Sequence, residues 1–132
     1  SLDLDKMNEC VQMLVGLHDF CNFTSAGSNV KSTHREILDC TLTQIVIDKK
    51  NFFESNLFMF PEEIGQCYEF RIIAKGFLKQ MIRNIISALW RVGTHKLSVE
   101  EFRNILYGAK LNKQLWRVSP PNGLFLYQIN SN

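Results

Sequence analysis

No apolar run in this sequence approaches the roughly 18 residues that a helix needs to cross a bilayer, so no membrane partner is expected. Net charge is almost lacking: 15 Lys and Arg against 13 Asp and Glu leave +2. The four cysteines, Cys10, Cys21, Cys40 and Cys67, form no C-x-x-C pair, and His18, His34 and His95 add no close ligand spacing. A zinc-type site is therefore not expected, and the cysteines read as reduced core thiols of an intracellular protein. Nothing in the sequence separates cytoplasm, nucleus and mitochondrion. There is no internal repeat and no low-complexity tract, and the acidic start Ser1-Leu2-Asp3-Leu4-Asp5 carries no signal-peptide pattern. Because the first residue is Ser rather than Met, an excised portion of a longer polypeptide is expected.

What is present is enough to fold. A chain of 132 residues, 45% hydrophobic and 21% charged, fits one domain over 1–132 that buries a core without staples. The small net charge hides an asymmetry. Residues 71–117 hold ten Lys or Arg and two Glu, or +8; the rest hold five basic and eleven acidic residues, or −6. A basic half suits a polyanion, although a solvated charge distribution would look the same.

Periodicity gives the elements. Asp3 can cap a first helix whose face is Leu4, Met7, Val11, Leu14 and Val15, with Gly16 as its stop. Leu17–Phe23 reads as a short helical turn or ordered loop, and 24–29 as a small-residue loop. Residues 35–47 read as a strand with Leu38, Cys40, Leu42 and Val46 on one face, and 66–75 as a second with Tyr68, Phe70, Ile72 and Ala74 inward. The Phe-rich connection between them, 48–65, is expected to fold back on the core or to dock on another domain or subunit. Residues 77–92 are the strongest helix, with Leu78, Met81, Ile82, Ile85, Leu89 and Val92 as its stripe and Gly93 as its end. Ser98-Val99-Glu100-Glu101 is a capping box for a further helix that buries Phe102, Ile105 and Leu106 and stops at Gly108. Pro120-Pro121-Asn122-Gly123 is a turn before a closing strand, 124–129. An α+β fold follows, an antiparallel sheet backed by helices.

On the 77–92 helix, Lys79, Arg83, Ser87 and Arg91 recur every four residues and are expected to form one polar stripe. Like charges so placed repel by about 0.2–0.5 kcal/mol per pair, unless an anion lies over them. A solvated helix face is the plainer account.

Four segments, taken in order, are more specific. Phe77-Leu78-Lys79-Gln80-Met81-Ile82-Arg83-Asn84-Ile85, continued by Val92-Gly93, resembles the F-x-x-x-M-[IV]-R-x-[IM] pattern of the TruA-type tRNA pseudouridine synthase family. Gly16-Leu17-His18-Asp19-Phe20 resembles its G-x-H-D-F segment. Lys31-Ser32-Thr33-His34-Arg35 resembles its basic S/T-x-x-R stretch, and Gly123-Leu124-Phe125-Leu126 its terminal G-L-[FY]-L strand. Ser25-Ala26-Gly27-Ser28 looks most like the eukaryotic pseudouridine synthase-like branch.

The resemblance implies a C-terminal half of a pseudouridine synthase fold. The implied reaction detaches uracil from C1′ in tRNA, turns it and reattaches it through C5. An aspartate does the covalent work, and no metal or organic cofactor is used. That aspartate belongs to an R-T-D-x-G-V-H motif that these 132 residues do not contain, so they are expected to be inactive alone. By position, Arg83 matches the family's active-site arginine, which pairs with the aspartate, and so must be accessible. Leu124 matches an apolar residue against the flipped uracil, with Met81 and Phe77 expected to line the same pocket; ordinary core packing is the alternative for these side chains. Lys31, His34, Arg35, Lys75, Lys79 and Arg91 are the expected phosphate contacts, and His18 and Asp19 either reach RNA or hold their own loop. The implied partners are tRNA and a second copy of the protein. Competing readings are an RNA-binding module without chemistry and a dimerisation domain built on the Phe-rich segment.

Overall fold

The computed structural model describes residues 2–24, 30–45, 57–60, 67–108 and 123–131; for Ile45, 57–60, Cys67 and 123–131 the description is of the backbone. Among these residues are three α-helices, a 3₁₀ turn and five strands in one sheet.

Helix α1 spans Leu4–Leu14. Asp3 caps it by accepting from the Lys6 amide at 3.2 Å, and Met7, Cys10, Val11 and Leu14 are buried. Val15 is already extended and 43% exposed, so it lies off the helical face expected for it. The chain reverses through Gly16, whose φ of +113° excludes most side chains.

Strand β1, Gly16–Asp19, then pairs antiparallel with the start of β2, His34–Ile45. A loop or helical turn is expected over Leu17–Phe23; a strand and the 3₁₀ turn Cys21–Phe23 are found. Four residues are too few for an alternating pattern, and it is the pairing with β2 that makes them a strand.

Strand β4, Cys67–Ala74, is the centre of the core: Tyr68, Phe70, Ile72 and Ala74 are all buried. β2 pairs with it antiparallel, with a register shift between Ile37 and Asp39. This bulge corrects one face assignment. Cys40 and Leu42 point inward as expected, but Ile37 is buried and Leu38 is 41% exposed, because one extra residue flips the alternation.

From the Phe-rich connection, Leu57–Phe60 forms strand β3, antiparallel to β5, Gly123–Ser131. This part folds back onto the sheet; 48–56 and 61–66 lie outside the described residues, as does the expected turn at 120–122. The strand order is β1-β2-β4-β5-β3.

The α+β arrangement is as expected, and three of the four pairings are antiparallel. The fourth, β4 with β5, is parallel. The reason lies in the connection: α2, Met81–Gly93, and α3, Val99–Tyr107, sit between the two strands, and a crossover of that length allows a parallel return. α3 begins at the expected capping box, where Ser98 Oγ accepts from the Glu101 amide at 2.9 Å and the Glu101 carboxylate from the Ser98 amide at 3.0 Å.

α1 packs on β2, α2 and α3. The α1–α2 contact is close at Gly93, where an added Cβ would meet Met7 Sδ at 2.5 Å and Leu2 Cδ2 at 3.1 Å. Met7 is fully buried and has little room to yield. Gly93→Ala is expected to cost about 1–3 kcal/mol by overpacking, read as a lower urea midpoint with an unchanged slope.

Candidate functional site

Helix α2 does not start where its apolar period starts. Residues 77–80 form a connection, and Gln80 takes a left-handed φ of 64° as N-cap, without a side-chain cap bond. Lys79 therefore precedes the helix. Further on, Ile85 through Trp90 are all buried, Ser87 included at 3%. The expected polar stripe Lys79–Arg83–Ser87–Arg91 is corrected accordingly: α2 is covered on every side over its middle turns. The signal was the nearly unbroken apolar run around Ser87, from Ile85 to Trp90, which a four-residue periodicity overlooks.

The first turn differs. Met81 and Ile85 are fully buried, and at 3.6 residues per turn Arg83 lies about 160° around the axis from each. Arg83 thus stands on the outer face and is exposed. Asn84 lies on the flank, where its Nδ2 donates to the Phe23 carbonyl at 2.8 Å. Beside it, Thr24 Oγ1 donates to the Lys79 carbonyl at 3.0 Å. Asn22, 6% exposed, ties the same segment to α3 through a 2.8 Å bond from Nδ2 to the Ile105 carbonyl. Neither Asn84 nor Thr24 stands out from the sequence, since each is an ordinary polar residue with a distant backbone partner.

His18 and Asp19 are built into the fold. His18 Nε2 is 3.1 Å from the Val15 carbonyl, and its ring meets Phe20 and Tyr107 edge-on at 5.8 and 5.3 Å. One Asp19 oxygen accepts from Thr33 Oγ1 and from the Cys21 amide, the latter at 3.1 Å. The Thr33 hydroxyl bond, helped by the Cys21 amide and the nearby His34, holds the Asp19 carboxyl below the usual aspartate range against the opposing effect of burial. A depressed carboxyl contributes stability above its unfolded pKa of about 3.9, and that contribution is lost as pH falls through the lower folded value. Asp19→Asn is therefore expected to flatten the acid limb: the difference between urea midpoints at pH 7 and pH 3 should shrink relative to the parent chain.

Several basic residues gather at one end of the sheet. The register sets Asp19 opposite His34 and Ile37 opposite Ala74, which Lys75 follows. Lys31, His34, Lys75 and Lys79 are exposed. Arg35 Nη1 donates to the Ser32 and His34 carbonyls at 2.8 and 2.7 Å, and its Nε lies 3.9 Å from where a Cβ on Gly76 would stand. Lys75 faces Glu36 at 3.5 Å. Arg91 is elsewhere, eight residues or about 12 Å along α2 from Arg83 and partly buried.

The apolar residues separate. Met81 is 0% exposed and belongs to the core, so it presents no surface to a ligand, which corrects its expected place in a pocket wall. Phe77 is partly buried against the core. Leu124 pairs with Cys67, at the opposite end of β4 from Ala74, so the backbone does not bring it to the basic end.

Burial pushes the Cys10 and Cys40 thiols up to about 12, aided by the charges of Glu9 and Asp39 respectively. Such thiols are inert at neutral pH. Among the described residues no helix is long and apolar enough to cross a membrane, and no group of three or more His, Cys, Asp or Glu is placed to hold a metal.

Residues 10–130 match a family model described as tRNA pseudouridine synthase. The tRNA pseudouridine synthase A of Streptococcus equi subsp. zooepidemicus (strain MGCS10565) is 35% identical over 129 residues, covering 97% of this chain and 44% of that protein. The protein of the same name from Streptococcus pneumoniae (strain P1031) is 32% identical over the same shares. The chain thus spans less than half the length of these curated relatives, which are bacterial; Ser25–Ser28, the basis of the eukaryotic likeness, lie outside the described residues.

Proposed function

The chain belongs to the tRNA pseudouridine synthase family, and on that premise we propose that it forms one side of an active site that isomerises uridine to pseudouridine in tRNA. The observation that carries this reading is that Arg83, on the outer face of the first turn, is the one exposed residue of α2. A guanidinium there can meet an aspartate contributed from outside these residues. Its planar fork holds both carboxylate oxygens, and its permanent charge keeps the aspartate ionised as a nucleophile at neutral pH. No cofactor takes part.

Lys31, His34, Arg35, Lys75 and Lys79 share the end of the sheet from which α2 starts. We assign them phosphate contacts, which fix position and make binding salt-dependent without reading sequence. Lys75 contributes less than its formal charge because Glu36 faces it. His18 and Asp19 support this surface through their own bonds. Arg91 is the weakest member of the set. The family motifs assign Phe77, just before α2, to the uracil pocket, and Leu124 with it, although the Leu124 backbone lies at the other end of β4. The full protein acts inside the cell as a homodimer.

Tritium release from uridine-labelled tRNA tests the proposal. Full-length protein is expected to release tritium, and residues 1–132 alone are expected to release none. Release by the 132 residues alone would place the nucleophile among them and overturn the assignment. An upstream sequence lacking R-T-D, combined with tRNA binding and no release, would instead favour an RNA-binding module.

A further inference from the structure

We infer that Asn84 is a positioning residue for Arg83, with Thr24 as a second arm, so that the segment Cys21–Thr24 acts as a bracket fixing how α2's first turn is rotated. This rests on the proposed function of Arg83. The first turn of any helix lacks intrahelical partners for its amides, and here Gln80 supplies no side-chain cap. The Met81 amide donates to the Leu78 carbonyl, and two further bonds tie the turn to the neighbouring segment. Thr24 Oγ1 reaches the Lys79 carbonyl at 3.0 Å, and Asn84 Nδ2 reaches back to the Phe23 carbonyl at 2.8 Å. These two bonds run in opposite senses and flank Arg83 in the chain, one before it and one after.

The bracket is itself anchored. Phe20 and Phe23 are fully buried, the Phe20 amide donates to the Thr33 carbonyl at 2.9 Å, and Asn22 is bonded to α3. It cannot follow the helix if the helix turns. Rotation matters because Arg83 carries its charge far from the axis. About 10° of turn displaces an atom about 6 Å from the axis by about 1 Å. A misplacement of that size can cost about 10²-fold in rate. On the core side, Met81 and Ile85 resist the same rotation by packing, so Asn84 supplies the directional restraint on the flank that packing leaves open.

The test uses the full-length protein, with single-turnover pseudouridine formation, tRNA affinity and Tm measured for each variant. Asn84→Ala is expected to lower the single-turnover rate about 10- to 10²-fold, with tRNA affinity within about twofold. Thr24→Val, which removes the hydroxyl with little change of shape, should lower it by a smaller factor and decides the matter if Asn84→Ala does not fold. In an Arg83→Lys background, which has already lost the fork, Asn84→Ala should add less than about a threefold loss. An unchanged rate, an equal factor in both backgrounds, or weaker tRNA binding at unchanged rate overturns the inference while leaving Arg83 in place. Near-normal turnover of Arg83→Lys and Arg83→Ala would instead overturn the proposed function itself.

Discussion

Arg83→Ala in the full-length protein is expected to reduce pseudouridine formation by about 10³-fold while tRNA affinity stays within about twofold. The magnitude comes from the charge pair that the substitution removes. Two unit charges about 4 Å apart at an effective dielectric near 20 attract by about 4 kcal/mol, which corresponds to about three powers of ten in rate if the ionised aspartate is needed in the transition state. Arg83→Lys keeps the charge but loses the bidentate fork, so an intermediate loss is expected. The core should not be disturbed, because Arg83 is exposed on the face of α2 turned away from Met81 and Ile85. The measurements are tritium release under single-turnover conditions and filter binding of tRNA. Turnover near the parent value would remove Arg83 from the site.

Phe23→Ala is expected to lower stability by about 3–5 kcal/mol. Phe23 is fully buried, and its ring lies 6.0 Å from Phe20 and 6.1 Å from Phe102, so it joins the 3₁₀ turn to α3. Truncation leaves a cavity between the two remaining rings and loses two tilted or edge-on contacts. A domain of this size is typically stable by about 5–15 kcal/mol, so about a fifth or more of the total is at stake. Urea unfolding reads the loss directly. A change under about 1 kcal/mol would show that the cluster closes over the gap. Because the Phe23 carbonyl also receives Asn84, the variant should lose turnover at temperatures where it is still folded.

Long, strongly periodic segments were legible in the sequence. The inward face of β4, the buried face of α1 and the capping box of α3 all follow from spacing and side-chain chemistry, because each is a local property. What spacing could not supply was fixed by partners distant in sequence. β1 is a strand because His34–Ile37 lie beside it, and β3 because β5 does. Leu38 points outward because a bulge in β2 resets its register against β4. The same division runs through the candidate site. Arg83 stands out because its surrounding residues form a motif. Thr24, Asn22 and Asn84 do not, since each is defined by a backbone carbonyl far along the chain. Met81 was ambiguous for a related reason: a methionine at a helical core spacing reads the same whether a ligand or a phenylalanine covers it.

The place of β5 between β4 and β3 sets the order in which this sheet can be completed during synthesis. When β3 and β4 leave the ribosome, the strand that belongs between them has not been made. Until β5 arrives, β4 shows an open hydrogen-bonding edge and Leu57–Phe60 has no strand beside it. Closure is therefore a late, long-range event that must wait for both crossover helices, the slow kind of step during which exposed edges recruit other chains. A nascent polypeptide stalled before residue 123 would be the form most in need of a chaperone.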